Sequence, residues 1–343
     1  MARMFHYTYT EIDMKRLITS LAVAAAFSAA GSAFAAGEIV IKFSHVVQPN
    51  TPKGQAAEYF KKLAEERTKG RVKVVIYPNS QLYKDKEELE ALQLGAVQML
   101  APATSKFGPM GLKEFEAFDL PYLFMNEDQV HKVTRGPVGQ ALLKKLESKG
   151  IRGLAFWDNG FRVFSANKPL HTPQDIKGLK IRTNSSKVNA AIVQAVGGMP
   201  QNMAFSEVYQ ALQTGVVDGT DGNVTNLYTQ KQYEVQKYMA NTRHSYSGYA
   251  VVVNKAFWDG LPADIRTTLE GAMKEASEYN DKMAEKDATA AETAIRASGK
   301  TQIYEPSPVE KAAWVKAMQP VQNEMASRIG MDTLKTIRTA IAK

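Results

Sequence analysis

No cysteine occurs among the 343 residues. That absence excludes a disulfide scaffold, thiol catalysis, an iron–sulfur cluster and a lipid-anchored N-terminal cysteine. Long hydrophobic runs are missing too: beyond residue 30 no stretch reaches the ~18 unbroken apolar residues of a membrane span. The nucleotide- and metal-binding spacings GxxxxGK[ST], GxGxxG and HExxH do not occur, nor does the nucleophile elbow GxSxG. Histidine is scarce, and His45, His131, His171 and His244 show no paired ligand spacing. No metal and no cofactor are therefore expected. No basic run is interleaved with aromatics, so no nucleic-acid partner is expected either.

What is present is the composition of a folded chain, 44% apolar with 23 Gly and 14 Pro. Its length suits roughly two domains with room for a cleft between them. Lys and Arg number 43 against 35 Asp and Glu, and the net charge of +8 favours an anionic partner. The amino terminus carries Met14-Lys15-Arg16, the apolar run Leu17–Ala30, then Ala33-Phe34-Ala35. A positive n-region, a short h-region and a small-x-small cleavage site make a secretory signal. Residues 1–35 are thus expected to be a cleaved signal with a polar extension over 1–13, and the mature protein to be periplasmic.

Strand and helix patterns alternate from there on. IVIKFS (39–44) alternates apolar and polar, and Thr51-Pro52 then offers a cap and a first-turn proline. VKVVIY (72–77), Val97–Ala101, Gly153–Trp157, Phe161–Ala166, LKIRT (179–183), Val216–Asp218 and Tyr249–Val253 read as further extended segments. Asp158-Asn159-Gly160 reads as a turn between two of them. Helices are expected from Lys84 to Leu94, after Ser185 and after Ser206. Another runs from Ala263 to about Ala297, with no proline. Its length of about 52 Å exceeds one small lobe. Ser307-Pro308-Val309-Glu310 opens the last helical region as a capping box, with a kink expected at Pro320. The fold class is α/β.

Two arginines stand out. Arg182 lies near the carboxyl end of LKIRT, where open α/β sheets place their ligands. Arg162 follows Asn159-Gly160 in a strand. A guanidinium facing a cleft suits a carboxylate, because its planar fork matches both oxygens. His45 directly follows the first strand and occupies a similar strand-end position.

At this point the residues become familiar. NGFRVFSANKPL, IRTNSS, GGMPQNMAFSEVYQALQTGVVDG and PNSQLYKDKEELEALQLGAVQM strongly resemble the periplasmic solute-binding subunits of tripartite ATP-independent periplasmic (TRAP) transporters, C4-dicarboxylate branch. The resemblance covers essentially the whole mature chain. It implies a two-lobe periplasmic-binding-protein-like fold with a ligand cleft and a long lobe-spanning helix. Lobe I is expected over 36–159 plus 248–287, lobe II over 160–247 plus 288–343. The carboxylate-clamping arginine falls on Arg182, a second ligand arginine on Arg162, and the ring contact on Phe205. The family's Glu-Asn-Pro segment reads Asp221-Gly222-Asn223 here, moving the amide contact to Asn223. Asn184 and Asn159 complete the expected ligand set, while Lys84 and His45 are expected to answer a distal carboxylate.

The implied activity is capture of a small organic anion, a C4-dicarboxylate first, and its delivery to TRAP membrane subunits by a monomer. Another carboxylate (a 2-oxo, sugar or aromatic acid) is the alternative. A sensory co-receptor is a further reading. A dicarboxylate enzyme would need a general base, for which His45 and Glu207 are the candidates; no catalytic residue is expected.

Overall fold

A computed structural model describes residues 38–342, so the signal reading lies outside the described residues. Five strands form the first sheet: β1 (Ile39–Ser44), β2 (Val72–Tyr77), β3 (Met99–Leu100), β9 (Tyr246–Asn254) and the first part of β4 (Ile151–Ala166). Their order is β2-β1-β3-β9-β4, and the path continues through β7 (Gly219–Asn223), β5 (Lys180–Thr183) and β6 (Met199–Asn202). β8 (Tyr238–Ala240) joins β4, and β10 (Gln302–Tyr304) joins β8. β4 therefore belongs to both sheets.

That strand corrects the sequence reading. Asp158-Asn159-Gly160 is not a turn between two strands but an irregularity inside one strand of 16 residues. The ladder to β9 runs to Asp158↔Gly248 and resumes at Phe161↔Tyr246 with shifted register. Gly160 absorbs the extra length at φ +91°, a conformation that glycine enters without a Cβ clash. Beyond the shift, Arg162–Ala166 pairs with β7. The chain passes from the first sheet to the second at this bulge.

Local signals elsewhere act largely as their chemistry requires. Thr51 accepts the Gly54 N–H at 3.1 Å, and Pro52 begins the Pro52–Arg67 helix where its missing N–H costs nothing. Ser186, not Ser185, caps the Lys187–Ala195 helix. The helix expected from Lys84 begins only at Glu88, and Val97–Ala101 contributes only Met99–Leu100 to the ladder. Residues 216–218 lie before β7, and a 3-10 turn over Phe205–Glu207 replaces a Ser206 cap. Pro320 sits inside the continuous Pro308–Ile329 helix.

The Ala263–Ser298 helix packs against the Pro52–Arg67 helix, β4 and the Val224–Thr229 helix. It braces elements of both sheets, as its length requires. One core gathers Phe43, Phe60, Trp157, Trp258 and Leu269 under the first sheet. A larger one contains Phe107, Phe118, Phe164, Ile192, Trp314 and Met325. No helix among the described residues is long and apolar enough to cross a membrane.

The Pro308–Ile329 helix is fastened to this core by charge. Arg328 donates to both oxygens of the fully buried Glu116, at 2.5 and 2.8 Å. Arg328→Met would strand that carboxylate, and removing one partner of a buried pair costs about 3–5 kcal/mol. Denaturant unfolding is expected to register a loss of that order. A change below about 0.5 kcal/mol would mean that Glu116 finds another partner.

Candidate functional site

Arg182 is placed by the pleat of β5. Ile181 enters the core, and period-2 alternation turns Arg182 to the other face. It is 6% exposed. Its Nε and Nη2 both donate to the Met203 carbonyl, at 3.2 and 2.9 Å. The Phe205 ring centroid lies 5.7 Å from its Cζ. Burial lowers the guanidinium to about 10, with Arg162 adding to the fall and Asp85 and Asp221 opposing it. It stays charged near neutral pH.

Arg162 stands just past the β4 bulge, paired in register with Asn223. Its Nη1 donates to the Asp221 carbonyl at 3.2 Å and lies 3.5 Å from Oδ1. His244 Nε2 is 3.2 Å from the same Oδ1. Burial pushes the Asp221 carboxyl up, but Arg162 and His244 outweigh it and hold it below the usual range.

The first sheet supplies a second charged group. Lys53, in the first turn of its helix, donates Nζ to the Ala101 carbonyl at 3.0 Å and sits 3.6 Å over the Tyr249 ring. Burial brings its ammonium down to about 7 against the pull of Glu88 and Asp85. Lys106 pairs with Asp85 at 2.5 Å. The other Asp85 oxygen accepts the Phe205 N–H at 2.9 Å, tying the two sides together. Burial pushes Asp85 up, yet Lys106 and that N–H keep it below its ordinary value. Glu88, 1% exposed, is pushed up to about 7 by burial, against Lys53 and Lys106.

These groups border one cavity, whose empty space, open solvent at its mouth included, is about 650 Å³. Six of the eight expected ligand residues face it: Arg182, Arg162, Phe205, Asn223, Asn184 and Asn159. Asn223 also caps the Val224–Thr229 helix, its Oδ1 accepting the Asn226 N–H at 2.9 Å. Asn184 donates to Ser105 Oγ at 2.9 Å, a second tie between elements of the two sheets.

Lys84 and His45 do not border the cavity. Lys84 lies in the turn before Glu88 and reaches Glu207 at 2.8 Å, both side chains 48% exposed. His45 is buried with both ring nitrogens lacking a protein partner. Burial, then Lys53, lowers it to about 3, so it is neutral. Its neighbours Val46 and Val47 reach the cavity instead.

Sequence reasoning missed Lys53, Lys106, Asp85 and Glu88. For Lys53 a signal existed: it stands in a helix's first turn that has no acidic residue, where the dipole disfavours a cation. His131 is a second surprise. Rather than facing solvent it pairs with Asp158 at 2.5 Å, and Asp158 also accepts the Tyr246 hydroxyl.

Residues 43–329 match the family described as "Bacterial extracellular solute-binding protein, family 7". The chain is 56% identical over 330 residues to the C4-dicarboxylate-binding periplasmic protein DctP of Rhodobacter capsulatus, covering 96% of this chain and 99% of that one. A TRAP periplasmic solute-binding protein from Shewanella oneidensis, solved with bound succinate, superposes with a TM-score of 0.86 at 42% identity, covering 89% of this chain and 100% of that one. Another from Pseudomonas aeruginosa PAO1, with bound L-malate, gives 0.81 at 40% identity, covering 83% and 99%.

Proposed function

The chain belongs to the bacterial extracellular solute-binding proteins of family 7, and on that premise we propose that it captures a C4-dicarboxylate in the periplasm for a TRAP permease. The observation that carries this reading is the pairing of cations across one cavity. Arg182 and Arg162 come from the second sheet, Lys53 and Lys106 from elements following strands of the first. A ligand with a carboxylate at each end would answer both sides. A monocarboxylate would reach the hydrogen-bond donors of one side only.

Arg182 would take the proximal carboxylate through its fork, with Arg162 beside it and Phe205 packed on the carbon chain. Lys53 would take the distal one. The lobes are assigned as 36–159 plus 248–287 and 160–247 plus 288–343, supported by the change of sheet at the β4 bulge. Because a ligand shifts a two-state equilibrium only by its differential affinity, contacts to both lobes favour the closed state. The ties Asp85–Phe205 and Asn184–Ser105 add to that state, and the permease would read it.

Thermal-shift measurements over succinate, malate, fumarate, 2-oxo acids, sugar acids and aromatic acids test the reading. At a thousandfold excess over Kd a ligand adds about 4 kcal/mol of stability. C4-dicarboxylates are expected to give the largest rise in Tm. A larger rise with a sugar acid or monocarboxylate would overturn the assignment. Lys84→Ala is expected to change succinate affinity by no more than about fivefold, as for an exposed ion pair. A larger loss, measured by calorimetry, would return Lys84 to the binding site.

A further inference from the structure

We infer that the buried Glu88 takes up one proton from solvent as the ligand enters, so that it meets the distal carboxylate as a neutral O–H donor. This rests on the dicarboxylate reading above.

The starting point is an asymmetry among the charged groups at that end of the cavity. Asp85 uses both oxygens, one on Lys106 and one on the Phe205 N–H. Lys53 has the Ala101 carbonyl and the Tyr249 face. Glu88 borders the same cavity, is almost wholly buried, and has no hydrogen-bond partner among the described residues. Among the described residues no hydrogen bond anchors its negative charge.

Before ligand arrives, two lysines formally balance two carboxylates. An entering carboxylate adds a further negative charge to a site with little water, where like charges repel strongly. The carboxylate without hydrogen bonds is the one most readily neutralised. Once protonated, Glu88 donates to a ligand oxygen, and repulsion becomes attraction.

The surrounding charges agree with this assignment. Lys53 faces Glu88 from the Pro52–Arg67 helix, Lys106 from the turn after β3, and Asp85 from the turn before Glu88 itself. Tyr249 faces it from β9, with its phenol pushed up by burial. Arg182 and Arg162 lie across the cavity from the second sheet, and His45 is neutral. Burial has already raised the Glu88 carboxyl, so one added negative charge beside it raises it further and draws in a proton near neutral pH. The sign follows directly. Affinity is greatest below about pH 7, where the proton is already in place, and falls as pH rises above it. One proton corresponds to tenfold per pH unit.

Calorimetry of succinate binding to dialysed protein, at about pH 8 in Tris and in HEPES, separates proton uptake from binding through the two buffers' different ionisation enthalpies. Uptake approaching one proton is expected, with Kd weakening about tenfold from pH 8 to 9. Glu88→Gln carries a neutral donor permanently, so its uptake should vanish and its pH profile flatten. Binding without uptake in the wild type would overturn the inference, and that measurement stands if the variant fails to fold. Undiminished uptake in Glu88→Gln would also overturn it, by placing the proton on Lys53 alone. Failure of succinate to bind at all would refute the dicarboxylate reading instead.

Discussion

Arg182→Lys is expected to lose succinate affinity by about 30- to several-thousandfold while the protein folds normally. Truncating one partner of a buried, hydrogen-bonded charge pair costs about 2–5 kcal/mol, which converts to that range. Lysine keeps the charge but not the planar fork. In the structure Nε and Nη2 are both committed to the Met203 carbonyl, an arrangement that braces the guanidinium against the residue just past the end of β6. A lysine ammonium replacing it cannot hold that carbonyl along two N–H bonds and also grip a carboxylate bidentately. Arg182→Ala should lose at least as much. Calorimetry showing near wild-type affinity for the lysine variant would sink the bidentate assignment, provided that circular dichroism and Tm show a native fold.

The second large effect is expected from Lys53→Met, and it is one of selectivity. Lys53 Nζ donates to a single protein acceptor, the Ala101 carbonyl, so its remaining N–H bonds are available to a ligand. Methionine preserves the apolar stem over Tyr249 and removes the charge. Succinate should weaken by at least about 30-fold, whereas butyrate, which has the same chain length and one carboxylate, should change by less than about threefold. Because Lys53 also offsets the buried charge of Glu88, the ligand-free variant is expected to lose stability, and its Tm and circular dichroism are measured so that affinities are compared only on folded protein. Equal losses for the two ligands would mean that Lys53 supports the cavity without touching the distal carboxylate.

The two predictions differ in how they could have been found. Arg182 was legible because the rule that places it is local: a strand of four residues, an alternating pattern, and a position at the carboxyl end. The same holds for Thr51-Pro52 at a helix start, Ser307–Glu310 at another, and the uninterrupted Ala263–Ser298 helix. Each depends on neighbours within a few turns of chain. The split of β4 failed because Asn-Gly chemistry favours a turn, while the partner strand β9 held the backbone extended through it. Tertiary pairing overrode a local preference.

By itself, then, the sequence determined the α/β class, the long brace, the family and the two arginines that face the cavity. These follow from periodicity, caps and an extended stretch of characteristic residues. Only the tertiary structure decided which charges share the cavity. Lys53, Asp85, Glu88 and Lys106 are brought together by the order β2-β1-β3-β9-β4, which sets the segments after β1, β2 and β3 side by side. Lys84, one residue from Asp85, is instead drawn outward to Glu207. Neighbours in sequence point to different surroundings because side-chain direction depends on the turn that carries them, and nonlocal strand pairing sets where that turn lies.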